Sequence, residues 1–229
     1  GAALMGGTTS CDDFEEININ PSVAGEEVVK PYYALNSSII GAQQDPHIAE
    51  RVAVYNWSSA ARVSGSDSTY ISTGRYDDSH MNDYHNSYIS DWIKKASLAI
   101  TLADNKAEDL TSQHDINFNK NVKAFARIWR VVMISEYTDN FGPYPIEAFQ
   151  GSNPAFNSVQ EVYYFMLDEL KAAVADIVLS EEPTADEAKS DPIFGYNAEK
   201  WAKYGNSLRL RLAMRLSEVD GAKAKSEFE

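Results

Sequence analysis

Apolar side chains at Val122, Phe125, Trp129, Val132, Met133 and Tyr137 fall at helical intervals, predicting a long helix over residues 117–138 with one stripe on a core. Asn140, Phe141 and Gly142 stop it. Gly142 is free to take a positive φ, while Pro143 and Pro145 lack donors and push their predecessors extended, so a rigid turn follows. Phe141 and Tyr144 sit on that turn, and a ligand contact competes with inward packing. Because another helix starts soon afterwards, a turn that fixes the path between two helices, with its aromatics inward, is the preferred reading.

The same periodicity marks the other helices. Val28, Val29, Tyr32, Tyr33, Leu35, Ile39 and Ile40 predict a first helix within residues 25–40, its firm part starting at Pro31, where a missing N–H is tolerated. Pro46 opens a second, with Ile48, Val52 and Tyr55 on its buried side. Tyr84, Tyr88, Trp92, Ala96, Ala99 and Ile100 place a third over residues 83–106, followed by a polar connection to residue 118. Ser158 and Glu161 form a capping box before Val162, Phe165, Met166 and Leu170, which marks the fifth. Residues 180–191 read as an acidic, mobile connection. Asn197 caps a sixth helix, with Trp201, Gly205, Leu208, Leu212 and Leu216 on one side and Arg209, Arg211 and Arg215 on the other. A seventh begins near Ala222. No stretch sustains period-two alternation. The fold class is therefore all-α: stacked antiparallel helical hairpins with long loops.

Between the second and third helices lies a different composition. Residues 64–83 are rich in Ser, Thr, Asp and Gly, with Tyr70, Ile71 and Tyr76 embedded in them, and a loop this long inside a compact domain is functional or disordered. Trp57, Tyr70, Arg75, Tyr76 and Asp77 supply the residue types that bind sugars: aromatic faces for C–H surfaces, and Arg and Asp for hydroxyls. They are the candidate ligand residues.

Charge narrows the partners. Lys and Arg number 20 against 34 Asp and Glu, a net charge of −14, and no basic cluster offers itself to phosphates, so nucleic acid is excluded. The single cysteine, Cys11, leaves no disulfide framework. Residues 1–10 look like the end of a signal peptide, and Thr8, Thr9 and Ser10 before Cys11 resemble a bacterial lipoprotein processing site, although Thr8 stands where an aliphatic residue is usual. Asp12, Asp13, Glu15 and Glu16 resemble a surface-export signal. Residues 11–24 are then a tether, and residues 25–229 the helical region.

Catalytic chemistry is not legible. His80 and His85 with Asp77, Asp78 and Asp83 match no metal-ligand spacing, and a solvated loop explains them better. The pairs Glu26 with Glu27, Asp168 with Glu169, and Glu181 with Glu182 have nothing to split their pKa values as a glycosidase needs. No nucleophile elbow, P-loop or dinucleotide fingerprint occurs, and no cofactor is implied.

Four segments in order, CDDFEEIN, ARIWRVVMISEYTDNFGPYPIEAF, NSVQEVYYFMLDELKAAVADI and NAEKWAKYGNSLRLRLAMRLSEVD, resemble the SusD/RagB family of Bacteroidetes outer-membrane lipoproteins. Thr138, Asp139, Phe141, Gly142, Pro143 and Pro145 match its helix-ending turn, and Trp201, Asn206, Leu208, Arg209, Leu210, Arg211, Ala213 and Arg215 match its later helix. The resemblance implies a tetratricopeptide-like scaffold and the N-terminal half of a nutrient-binding lipoprotein, anchored to the outer membrane through Cys11 and facing the exterior. It also implies a lid on a SusC-like TonB-dependent transporter, taking oligosaccharides, or peptides as in the RagB branch. A helical protein-docking adaptor is the further alternative. No individual residue here matches the family's glycan site, so the loop residues stand on chemistry and position alone.

Overall fold

The computed structural model describes residues 29–44, 82, 85–149 and 154–228. The expected tether, the helix opened by Pro46 and the Tyr-rich loop lie outside them. Among the described residues there are seven α-helices and no strand: α1 (Pro31–Gln44), α2 (Lys94–Lys106), α3 (Gln113–Phe141), α4 (Val159–Ala175), α5 (Ala185–Ala188), α6 (Ala198–Arg215) and α7 (Gly221–Ser226). A π-helical segment, Ser87–Ile93, runs straight into α2.

The long helices alternate in direction. Near the start of α3, Asn119 donates to the Ala103 carbonyl and Lys123 pairs with Asp104, while near its end Glu136 accepts from Tyr88, so α2 and α3 are antiparallel. Asn121 bonds both backbone groups of Val178, just past α4, whereas Tyr163 near the start of α4 donates to Asp139 near the end of α3. These two helices are antiparallel as well. Arg215 at the end of α6 reaches the same Asp139, and Trp201 near its start stacks on Phe125 at 5.1 Å. The expected antiparallel hairpins are thus present, in a tetratricopeptide-like stack around α3.

Local signals explain the helix ends. Ser112 caps α3 by accepting from Asp115, so the helix starts at Gln113, four residues before the start expected at residue 117. Ser158 and Glu161 form the expected reciprocal capping box on α4, and Asn197 caps α6 through the Lys200 N–H. Residues 180–191 are not the mobile connection expected. They carry α5, whose own capping box of Thr184 and Glu187 fixes it, and His114 holds it to α3.

Packing is close where α6 meets its neighbours. A Cβ on Gly205 would lie 2.6 Å from Val174 Cγ2 and 3.0 Å from Ile128 Cδ1, so the absent side chain is what lets α6 approach α3 and α4. Trp129, Trp201, Phe125, Leu35 and Met133 are fully buried in the resulting core.

Candidate functional site

Trp57, Tyr70, Arg75, Tyr76 and Asp77, with Cys11, lie outside the described residues. So do His80, Asp77, Asp78 and Asp83 of the His and carboxylate cluster. Its remaining member, His85, packs its ring 5.5 Å from Tyr137 and 5.6 Å from Phe141, against the last turns of α3.

The proline turn is structural. Tyr144 is 1% exposed and exchanges backbone hydrogen bonds with Asn157, closing the turn onto the start of α4. Its ring meets Tyr137 edge-on at 5.4 Å, and burial pushes its phenol above the ordinary range. The inward packing expected of it is what the structure has.

The acidic pair on α4 divides by environment. Asp168 lies on the surface, 3.5 Å from Lys223. Burial works against ionisation of Glu169, but bidentate bonds from Arg127 and a third from Arg130, all within 3.0 Å, hold its carboxyl below the ordinary value. Two flanking arginines make Glu169 a link between α3 and α4, the opposite of a proton-donating acid.

A cleft of about 400 Å³ opens between the start of α4, the end of α6 and the start of α7. The capping box sets Val159 and Gln160 on the first turn of α4, and Tyr163 and Tyr164 follow one turn later. Asp220 then caps α7 by accepting from Lys223 N at 3.0 Å. Two hydrogen-bonded groups line the walls. In one, Tyr163 donates to Asp139 at 2.6 Å and Arg215 binds the other oxygen of the same carboxylate. In the other, Gln160 donates to the Tyr164 hydroxyl at 3.1 Å and that hydroxyl donates to Asp220. The Tyr164 hydroxyl, then the Lys223 N–H, hold the Asp220 carboxyl below its ordinary value. Sequence reasoning passed over all of these residues because Tyr163, Tyr164 and Arg215 read as ordinary helix-face positions. The paired tyrosines directly after a capping box were the available signal.

A second cleft, about 210 Å³, lies at the opposite end of the stack, lined by Lys30, Tyr32, Lys106, Phe118, Asn119 and Glu187 among others. Beside it His114 is clamped, Nδ1 at 2.6 Å from Glu181 and Nε2 at 3.2 Å from Glu187. The Glu181 bond, helped by the charges of both glutamates, raises the His114 pKa against the opposing effect of burial.

Among the described residues, no three His, Cys, Asp or Glu side chains gather as a metal site, and no helix is long and apolar enough to cross a membrane.

Residues 29–229 match a SusD-like family described as starch-binding and associating with the outer membrane. No curated protein matches the chain. Among solved structures, a Bacteroidetes SusD-like protein, AC2a, is 27% identical, with a TM-score of 0.69 over 87% of this chain and 36% of its own length. A SusD homologue from Parabacteroides distasonis is 26% identical, with a TM-score of 0.68 over 86% of this chain and 37% of its own. A chitin-binding protein at 22% identity shares the fold, with a TM-score of 0.71 over 86% of this chain and 42% of its own. The chain thus spans well under half the length of each.

Proposed function

The chain belongs to the SusD-like family of starch-binding, outer-membrane-associated proteins, and on that premise we propose that it is a surface-exposed, oligosaccharide-binding lipoprotein. It works as a lid on a SusC-like TonB-dependent transporter. The observation that carries this reading is the family match over residues 29–229.

Binding and release are the whole of the mechanism, and no bond is broken. A closely packed helical stack is a rigid support, and rigid support keeps the entropy of ordering small when a ligand settles on side chains already in place. Lipidation at Cys11, followed by the acidic tether of residues 11–24, holds the stack at the membrane surface. Trp57, Tyr70, Arg75, Tyr76 and Asp77 furnish the aromatic and hydroxyl-binding chemistry of the principal ligand loop.

The test is a glycan and peptide array followed by calorimetry on the best ligand. Tyr70→Ala and Tyr76→Ala should weaken oligosaccharide binding and leave the thermal midpoint nearly unchanged. Equal affinity in both variants removes the loop assignment. Peptide binding without glycan binding replaces the oligosaccharide reading with the RagB-like one. Pull-down from outer membranes should bring a TonB-dependent barrel with the tagged protein, and its absence overturns the lid.

A further inference from the structure

We propose that the cleft between the start of α4, the end of α6 and the start of α7 is an additional saccharide subsite, taking a neutral hexose unit of a longer chain. This rests on the oligosaccharide-binding reading above and adds to it a second place of contact.

The size is suitable. About 400 Å³ lies within the range of small-molecule sites, roughly 300–1,000 Å³. The walls combine apolar and polar surface. Val159 and Val219 are exposed large apolar groups, Val219 at 80%, beside the partly buried ring of Tyr164. Together they offer C–H and ring surface for the apolar face of a pyranose.

The polar groups are fixed in advance by bonds to one another, which lowers the ordering entropy of binding. They also keep capacity in reserve. Gln160 uses its amide N–H₂ on Tyr164, leaving its carbonyl oxygen without a partner among the described residues. Arg215 engages Asp139 and Tyr163 through Nη1, leaving Nη2 and Nε without one. A hydroxyl both donates and accepts, so a solvent-facing amide oxygen and solvent-facing guanidinium N–H groups on one cleft are complementary to a vicinal diol. The bond from Arg215 to Asp139 suffices to tie α6 to α3.

Charge selects among sugars. Arg215 is offset by Asp139, and Lys223 lies 2.9 Å from Glu227 and 3.5 Å from Asp168, with Asp220 also on the wall. With a net charge of −14 on the whole chain, an acidic sugar is repelled and a neutral one is not.

The experiment is calorimetry of the whole chain with maltoheptaose, using Tyr164→Ala, Tyr164→Phe and Gln160→Ala, with thermal midpoints measured in parallel. Tyr164→Ala should weaken binding roughly tenfold, and Tyr164→Phe, which keeps the ring, should bind more tightly than Tyr164→Ala. Gln160→Ala, on an exposed first turn, should weaken it roughly threefold with an unchanged midpoint. If Tyr164→Ala does not fold, Gln160→Ala decides. Wild-type affinity in the folded variants overturns the subsite and leaves the proposed function standing. Failure of the unaltered chain to bind maltoheptaose counts against both. An oligogalacturonate bound as tightly as maltoheptaose overturns the neutral assignment.

Discussion

Trp129 donates its indole N–H to the hydroxyl of Ser38 at 3.0 Å, and Ser38 in turn donates to the Trp92 carbonyl at 2.7 Å, all three residues being buried. One small hydroxyl therefore joins α1, the π-helical segment and α3 inside an otherwise apolar region. Removing it leaves the indole N–H without a partner and out of reach of water, and takes the side-chain donor from the Trp92 carbonyl. Ser38→Ala is expected to destabilise the chain by about 1–3 kcal/mol, read as a lower urea midpoint at constant slope. A change below about 0.5 kcal/mol, the ordinary range for neutral surface substitutions, would show that this link does not matter to stability.

That relationship was not legible in the sequence, and the reason is general to this fold. Helix faces follow from spacing, and Trp129, Phe125 and Met133 were placed on the core that way. Caps follow from local chemistry, so the Ser158 and Glu161 box, the Asn197 cap and the stop at Gly142 were readable too. Contacts across 91 residues, like that from Trp129 to Ser38, have no local signature. The π-helical turn at Ser87–Ile93 also escaped, since its period differs from the 3.6 that the apolar pattern tests. Residues 180–191 were misread because acidity suggested solvation, although Thr184 and Glu187 repeat the box found at Ser158. The nominated ligand loop was readable only as chemistry, and the cleft beside Tyr164 needs α4, α6 and α7 brought together before it exists.

Gly142 has φ 85° and ψ −122°, a conformation open to glycine and strained for other residues. An added Cβ would meet only Val159 Cγ2, at 4.0 Å, so backbone strain and not crowding decides the outcome. Gly142→Val should destabilise the chain by about 1–3 kcal/mol and leave saccharide affinity of the folded fraction intact. Lost binding with full stability would return the turn to the list of ligand sites.

His114 gives a pH dependence whose direction is fixed. Its bond to Glu181, with the charges of both glutamates, lifts its pKa above 6.5, so the protonated ring stabilises the fold. That contribution is complete below pH 6.5, the value for the unfolded chain, and is lost as pH rises through the raised folded value. The difference in thermal midpoint between the unaltered chain and His114→Gln should be largest on the acid side of neutrality and shrink toward alkaline pH. A difference constant from pH 5.5 to 9 would remove the clamp as a titrating contact.

Asp191 is 4% exposed and has no cation within ion-pair distance among the described residues. Its charge is met instead by three N–H groups: Ile193 N at 2.9 Å, Tyr196 N at 2.8 Å and Trp201 Nε1 at 2.7 Å. The two backbone donors bend the chain through Gly195 and Tyr196, both at positive φ, and the indole ties that bend to the start of α6. Asp191→Asn keeps the shape and one oxygen. Turned to serve Tyr196 and Trp201, the amide nitrogen opposes the Ile193 N–H, donor against donor, and the charge assistance is lost on the other two bonds. The expected destabilisation is about 1.5–3 kcal/mol by urea titration. Trp201→Phe removes the indole donor and keeps a ring, so its effect should fall short of additivity with Asp191→Asn, because both substitutions disrupt one shared bond. Full additivity would mean that Trp201 stabilises α6 through its ring contacts with Phe125, Phe194 and Tyr204 and not through its indole N–H, leaving Asp191 to hold the bend without it.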